Sequence, residues 1–232
     1  MRTLGIETAG EMGGVGVIDD ARVLSDVVFE ARADHGAKLT PAVDAALRLA
    51  GVTRQDVTLV AVSCGPGSFT GLRIGLAFAK GLTRALGVPL VGVPTLDAYA
   101  ERARFWTGRL WVLFPDRRSS IYRATYEDGQ MIEPPGAHSV DEWRPERSTG
   151  APSGPVLMVG PGIDTHGDAL RQALPEAQFG PSALARPSGA AVAQIGAVRH
   201  ADRGVDGLYD LEPLYGQGPP VSSVKSDDGA TA

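Results

Sequence analysis

The residues with the most chemical potential run from 65 to 75: Gly65-Pro66-Gly67-Ser68-Phe69-Thr70-Gly71-Leu72-Arg73-Ile74-Gly75. A glycine-rich turn between a β-type run and a helical run can aim backbone N–H groups and a helix N-terminus at an anion. Ser68 and Thr70 would add hydroxyl donors. The same residues also suit a tight strand-to-helix turn, in which glycines permit positive φ and close packing. Both readings stand on composition alone. Two nucleotide loops are excluded. A Walker A loop needs Lys after its last Gly, and here Gly71 is followed by Leu72 and Arg73. The dinucleotide fingerprint fails because Thr70 stands at its third glycine.

Other reactive groups are sparse. Ser68 sits in Gly67-Ser68-Phe69, which is not the Gly-x-Ser-x-Gly elbow. The chain has 1 Cys, Cys64, at the end of an apolar run, where a thiol is expected to be an inert packing group. The 4 His are His35, His138, His166 and His200, and none is an i, i+3 or i, i+4 partner of another. No Cys/His cluster can form, so no transition-metal site and no cofactor are expected. His35 reads as a structural or interface residue rather than a base. Asp116, Arg117 and Arg118 suit either a subunit contact or a solvated turn.

Composition narrows the class. The 232 residues carry a net charge of −5, with 43% hydrophobic and 21% charged residues. That is ordinary for a globular protein of one or two domains. An acidic chain lacks the positive field that releases counterions from phosphate, so any nucleic-acid contact is expected to come through a partner. A single cysteine, no signal-peptide pattern at Met1–Glu7 and no apolar run near the ~20 residues of a membrane span point to a cytoplasmic protein.

The elements that must position these residues follow from periodicity. Thr3–Thr8, Val15–Ile18 and Val23–Phe29 read as an antiparallel meander punctuated by glycines. Thr40-Pro41 reads as a helix start, with Val43, Ala46, Leu47 and Ala50 on one face and Gly51 as C-cap. Val57–Ser63 is a buried strand leading into the glycine loop. From Gly71 to Leu86 the period is helical, and Leu90–Val93 is a short strand. Thr95 is expected to cap a helix to about Ala103. A second set follows: strands at Leu110–Phe114, Ser120–Tyr126, Gln130–Glu133 and Val156–Val159, and helices at Asp164–Leu174 and Gly189–Asp202. Pro134–Gly154 reads as loop, and Gly216–Ala232 as a disordered tail. The expected organisation is 1–104, 105–215 and the tail 216–232. Gly71, Gly75 and Ala79 form a small-residue ridge at spacing four, suited either to packing on the sheet or to a subunit contact.

Gly65 to Leu82, GPGSFTGLRIGLAFAKGL, resembles the signature of the TsaB (YeaZ) family. Ile6-Glu7-Thr8 resembles the family's opening Ile-Asp-Thr-Ser, and His35 with Leu39 its His-x-x-x-Leu. Gly92-Val93-Pro94-Thr95-Leu96, Asp116-Arg117-Arg118 with Tyr122, and Pro213-Leu214-Tyr215 resemble later family segments in order. The match is dense over 1–126 and thin from 127 to 212.

The resemblance implies an α/β, actin-like ATPase (sugar kinase-type, ribonuclease H-like) fold of two related lobes. It also implies a non-catalytic subunit that activates the paralogue TsaD, with the ATPase TsaE, in threonylcarbamoyl transfer to the adenosine next to the anticodon of transfer RNA. A homodimer when alone, transfer RNA contact only through the complex, and no membrane contact are expected. The catalytic paralogue carries two metal-binding His where this chain has Thr95 and Tyr99. Glu7 and Thr8 stand at a degenerate phosphate loop. Gly65, Pro66, Gly67, Ser68, Phe69, Thr70, Gly71 and Arg73 are candidates for contact with nucleotide or partner. Val43, Leu47, Gly71, Gly75 and Ala79 are expected at the partner interface. The other reading is an actin-fold kinase or ATPase acting on a small molecule.

Overall fold

A computed structural model describes residues 1–32, 34–116, 120–140 and 155–214. Arg117, Arg118, Tyr215, residues 141–154 of the expected loop and the expected tail lie outside these described residues.

The β-branched and glycine-rich N-terminal half forms a sheet of five strands: β1 (Arg2–Glu7), β2 (Met12–Asp19), β3 (Arg22–Glu30), β4 (Leu59–Gly65) and β5 (Leu90–Pro94). Their order is β3-β2-β1-β4-β5. β1, β2 and β3 are the antiparallel meander, and β4 and β5 join in parallel. Every residue of β4 is buried, as expected for a central parallel strand with both faces covered.

The second half repeats this order with β6 (Arg109–Pro115), β7 (Ser120–Glu127), β8 (Gln130–Ser139), β9 (Val156–Val159) and β10 (Gln178–Phe179), arranged β10-β9-β6-β7-β8. Again three strands meander, and the fourth pairs in parallel with the first of its set. This duplication is the two-lobed α/β architecture that the resemblance implies.

Among the described residues five α-helices cover the sheets: α1 (His35–Ala50), α2 (Phe69–Leu86), α3 (Thr95–Arg102), α4 (Gly162–Ala173) and α5 (Gly189–Arg203). On one face of the first sheet, Leu4, Ile6, Val15 and Val17 meet Leu39, Val43 and Leu47 of α1 and Leu76 and Ala79 of α2. α4 brings Leu170 to Trp111, Leu113, Ile121 and Met158 on one face of the second sheet. The remaining two faces are covered by exchange. α3, which follows the first sheet, places Leu96, Tyr99, Ala100 and Ala103 against Leu110, Val112 and Phe114 of the second. α5, which follows the second sheet, places Ala191 and Val192 against Ala61 and Val93 of the first.

α5 lies almost on the strand backbone. Gly5 and Gly16 are directly paired across β1 and β2, and a Cβ on Gly16 would fall 2.1 Å from the Ala190 nitrogen. Only residues without a side chain allow that approach. The helix start is held by Ser188, whose Oγ accepts from Ala191 N–H, and by Asp26 of β3, which accepts from Ser188 Oγ (2.6 Å) and Ala190 N–H (3.1 Å).

Three expectations are corrected. α1 starts at His35, not at Thr40-Pro41, and Pro41 lies inside it. Pro41 is exposed, so its ring and the carbonyl it leaves without a helical partner face solvent, while His35 and Leu39 extend the buried stripe backwards. Residues 134–139 are strand rather than loop. β8 is the sheet edge, and its register with β7 shifts between Arg123 and Thr125, so Pro134 and Pro135 fall at an irregularity that asks no ladder donor of them. Thr95 does not cap α3. Pro94 occupies that position, and the Thr95 hydroxyl is used elsewhere.

Candidate functional site

β1 delivers Glu7 and Thr8 to the sheet end where β4 delivers Cys64 and Gly65. Both strand ends are dry: Glu7, Thr8, Ser63 and Thr95 are all fully buried. Glu7 Oε1 accepts from Ala9 N–H, while Oε2 has no partner among the described residues. Burial dominates its chemistry and pushes its pKa up to about 7. Thr8 N–H donates to Ser63 Oγ at 3.3 Å.

The glycine loop closes over this strand end. Gly65 has φ +118° and precedes a cis proline, Pro66. Its N–H donates to Thr95 Oγ1 at 3.1 Å. Ser68 N–H donates to the Ala9 carbonyl at 2.7 Å, and Gly71 N–H donates to Ser68 Oγ at 3.2 Å. Gly67 sits on Ala9, and Gly71 sits on the Thr8 carbonyl, with hypothetical Cβ contacts of 2.6 and 2.1 Å. Three of the N–H groups an anion would use are therefore engaged within the chain, above a buried carboxyl. Phe69 and Thr70 face outward, and the Arg73 guanidinium stacks 3.7 Å from the Phe69 ring centroid.

The loop is buttressed from the far end of the chain. Leu214 N–H donates to the Cys64 carbonyl at 2.6 Å, beside Pro213 of the closing segment. Asp206 N–H donates to the Leu90 carbonyl, and Asp206 accepts from Gly92 N–H at 2.7 Å, so this segment covers the β5 edge. Cys64 is buried, and burial raises its thiol to about 12, which suppresses the thiolate.

The residues expected at a partner interface do not reach the surface. Val43, Leu47, Gly71, Gly75 and Ala79 are all buried within the chain, and Gly75 packs on the Thr8 side chain. The ridge is spent on internal packing against β1. A second ridge one face round was missed: Arg73, Ala77, Gly81 and Ala85, again at spacing four, all exposed. A Cβ on Gly81 would meet nothing within 4 Å. The repeat of small residues at 77, 81 and 85 was visible in the sequence, but its orientation was not. On α1, Leu49 is exposed at 67%.

Thr95 and Tyr99 have structural tasks. Tyr99 is buried edge-on against Phe114, with ring centroids 5.9 Å apart. His35 is buried facing the Gly10 backbone, and burial lowers its pKa. His138 lies on β8, His166 on α4 and His200 on α5, on separate elements. Among the described residues no three His, Cys, Asp or Glu side chains gather in a metal-holding group. Asp116 directly follows β6, and its N–H donates to the Ser120 carbonyl at the start of β7.

Comparison with known proteins agrees with this architecture. The family model described as TsaD, tRNA N6-adenosine threonylcarbamoyltransferase, matches residues 27–159. An uncharacterized protein of Mycobacterium tuberculosis is 37% identical over 95% of this chain and 94% of its own length. The tRNA threonylcarbamoyladenosine biosynthesis protein TsaB of Bacillus subtilis is 30% identical, covering 55% of this chain and 56% of its own. The solved structure of YeaZ from Pseudomonas aeruginosa superimposes with a TM-score of 0.75 at 23% identity, covering 92% of this chain and 99% of that one. With a TsaD-type model spanning more than half its length, and the TsaB signature on the loop between β4 and α2, the chain belongs to the TsaD-related family and, within it, to the TsaB (YeaZ) group.

Proposed function

We propose that this chain acts in tRNA threonylcarbamoyladenosine biosynthesis as a non-catalytic subunit that binds and activates a TsaD-type paralogue, with a TsaE-type ATPase as third member. What supports this reading most is the use made of Thr95 and Tyr99. They occupy the i, i+4 positions of α3 where the catalytic paralogue holds its metal with two His. Here one hydroxyl holds Gly65 N–H, and the other residue is core. A hydroxyl and a buried phenol are poor substitutes for imidazole ligands.

The partner surface is then the outward side of α1 and α2. Ala77, Gly81 and Ala85 would let a partner helix approach closely, and Leu49 and Phe69 are exposed on the same two helices. The same face would serve a homodimer when the partner is missing. Transfer RNA would be held by the complex, because the acidic chain has little to offer phosphate.

A kinase or ATPase reading is weaker on this geometry. Phosphate and its metal need an accessible carboxylate at the β1–β2 turn. Glu7 is fully buried and held by Ala9 N–H, under a loop whose donors are engaged.

The test is to purify the chain with the TsaD-type protein of the same cell, measure mass by light scattering after gel filtration, and assay threonylcarbamoyl transfer with and without it. A one-to-one complex whose transfer requires both chains is expected. No complex, or ATP turnover by this chain alone that Glu7→Gln abolishes, would overturn the reading.

A further inference from the structure

Helix α2 is charged in one sense only. Its 18 residues hold Arg73, Lys80 and Arg84 and no acid, within a chain whose net charge is −5. At about 100° per residue these positions, i, i+7 and i+11, fall within about 40° of one another, a single row along the helix. Arg73 and Arg84 are exposed, and Lys80 is half-buried. The row runs beside the outward ridge of Ala77, Gly81 and Ala85.

Elsewhere arginines meet carboxylates. Arg54 pairs with Asp44, Arg104 with Glu101, Arg171 with Asp168 and Arg199 with Asp97. α2 is different. Arg84 Nη1 donates to the neutral Tyr209 hydroxyl at 2.9 Å, which leaves its charge uncompensated. Neither Lys80 nor Arg84 has a carboxylate partner among the described residues. α1, which packs with α2 on the same core, supplies none, because its one acid is Asp44, held by Arg54. The helix dipole accounts for Arg84 in the last turn, but not for cations at 73 and 80.

We propose that this row chooses the partner of the α1–α2 face: the helix of the TsaD-type protein that crosses Ala77, Gly81 and Ala85 sets Asp or Glu against Lys80 and Arg84. The inference deepens the proposed function and rests on it. Small residues let the partner helix come close, and the row at its flank then reads charge. A second copy of this chain is the poorer occupant. Two-fold pairing apposes one patch with itself, so Lys80 and Arg84 would meet cations, and like charges across an interface select against that partner. The face therefore pairs with itself weakly and gives way to the acidic partner. RNA is a poor occupant as well. So few cations in an acidic chain release few counterions, and a ridge of small apolar residues offers a phosphate backbone nothing.

The test uses the full chain and the TsaD-type protein of the same cell. Self-association is measured by sedimentation equilibrium and pairing by titration calorimetry, each at about 50 and about 500 mM NaCl, since salt screens exposed charge. The variants are Lys80→Gln, Lys80→Gln with Arg84→Gln, and Tyr209→Phe, which removes the Arg84 hydrogen bond and keeps the charge. Thermal melts check that each folds. Opposite movements are expected at low salt. The double variant pairs with the TsaD-type protein about 3–10-fold more weakly and with itself about 3–10-fold more tightly, and Lys80→Gln moves part of the way. High salt moves the wild type in the same two directions, and Tyr209→Phe changes neither affinity by more than about twofold. A shift of both affinities in one direction is what a merely structural role gives, and overturns the proposal. A heterodimer indifferent to salt and to the double variant overturns the charge assignment and leaves the interface standing. No heterodimer at either salt overturns the interface and this proposal together. Binding of labelled transfer RNA by the chain alone, lost in the double variant while pairing is unchanged, would assign the row to RNA instead.

Discussion

At the scale of single residues, Glu7 and Thr95 are buried polar groups whose hydrogen bonds to Ala9 N–H and Gly65 N–H hold the strand ends under the glycine loop. Glu7 has a folded pKa of about 7 against a reference of 4.5, so the folded chain holds the proton more tightly than the unfolded one. The associated stability is complete below about pH 4.5 and is lost as pH rises through 7, to the extent of about 3 kcal/mol. Glu7→Gln removes this titration. The melting temperature of the variant should therefore gain on the wild type as pH rises from 4.5 to 7, and parallel curves would count against a buried titrating carboxyl. His35 acts in the opposite sense, since its lowered pKa costs stability as pH falls below 6.5, but it is common to both proteins. Thr95→Val keeps the shape and deletes the acceptor for Gly65 N–H. It should lower the melting temperature by roughly 3–10 °C, the cost of one buried donor left without a partner. Neither role was legible in the sequence. Glu7 could be seen to replace an acid by a longer one, but only the structure shows that Ala9 and the glycine loop bury it.

At the scale of elements, the reading of the chain succeeded where period and burial agree. The meander β1–β3, the strand β4 and the helix α2 follow from alternation, a β-branched run and a 3.6-residue stripe. It failed where a local rule met tertiary packing. Pro41 suggested a helix start, yet His35 and Leu39 bury one more turn. Pro134-Pro135 suggested a loop, yet an edge strand accepts them. The ridge of Gly71, Gly75 and Ala79 on α2 suited either the sheet or a subunit contact, because spacing carries no information about which side meets the sheet, and the structure packs it inward. Helix α5 gives the sharpest element-scale prediction. Gly16→Val places a Cβ where Ala190 N stands 2.1 Å away, so the helix must lift, at a cost of about 3 kcal/mol or more in denaturant unfolding. Native stability in this variant would mean that α5 does not rest on β2.

At the scale of the whole molecule, the surface opposite the sheet on α1 and α2 is what the proposed partnership needs. Gly81→Arg tests it without harming the fold. The position is exposed and mid-helix, so replacing Gly should raise the chain's own stability by up to about 1 kcal/mol. Association with the TsaD-type protein in gel filtration should nevertheless be lost, and with it the transfer that needs both chains. A variant that melts higher and still pairs would move the interface elsewhere. The duplicated strand order was only faintly visible in sequence, because the two halves share topology and little residue pattern. The exchange of α3 and α5 between the sheets was not visible at all, since an amphipathic stripe does not name the surface it will cover.

That exchange has a consequence for how the chain is made. The first five strands leave the ribosome early, but the helix that seals their glycine-lined face is encoded from Gly189 onward. At ~5–20 residues per second, everything from Thr95 to Ser188 takes roughly 5–20 s to synthesise. For that interval the N-terminal sheet is an open-faced half-structure, and its completion must be post- or late-translational. Arrested nascent chains that stop before Gly189 should be cut readily by protease in β1–β2, whereas chains in which Arg203 has emerged should resist.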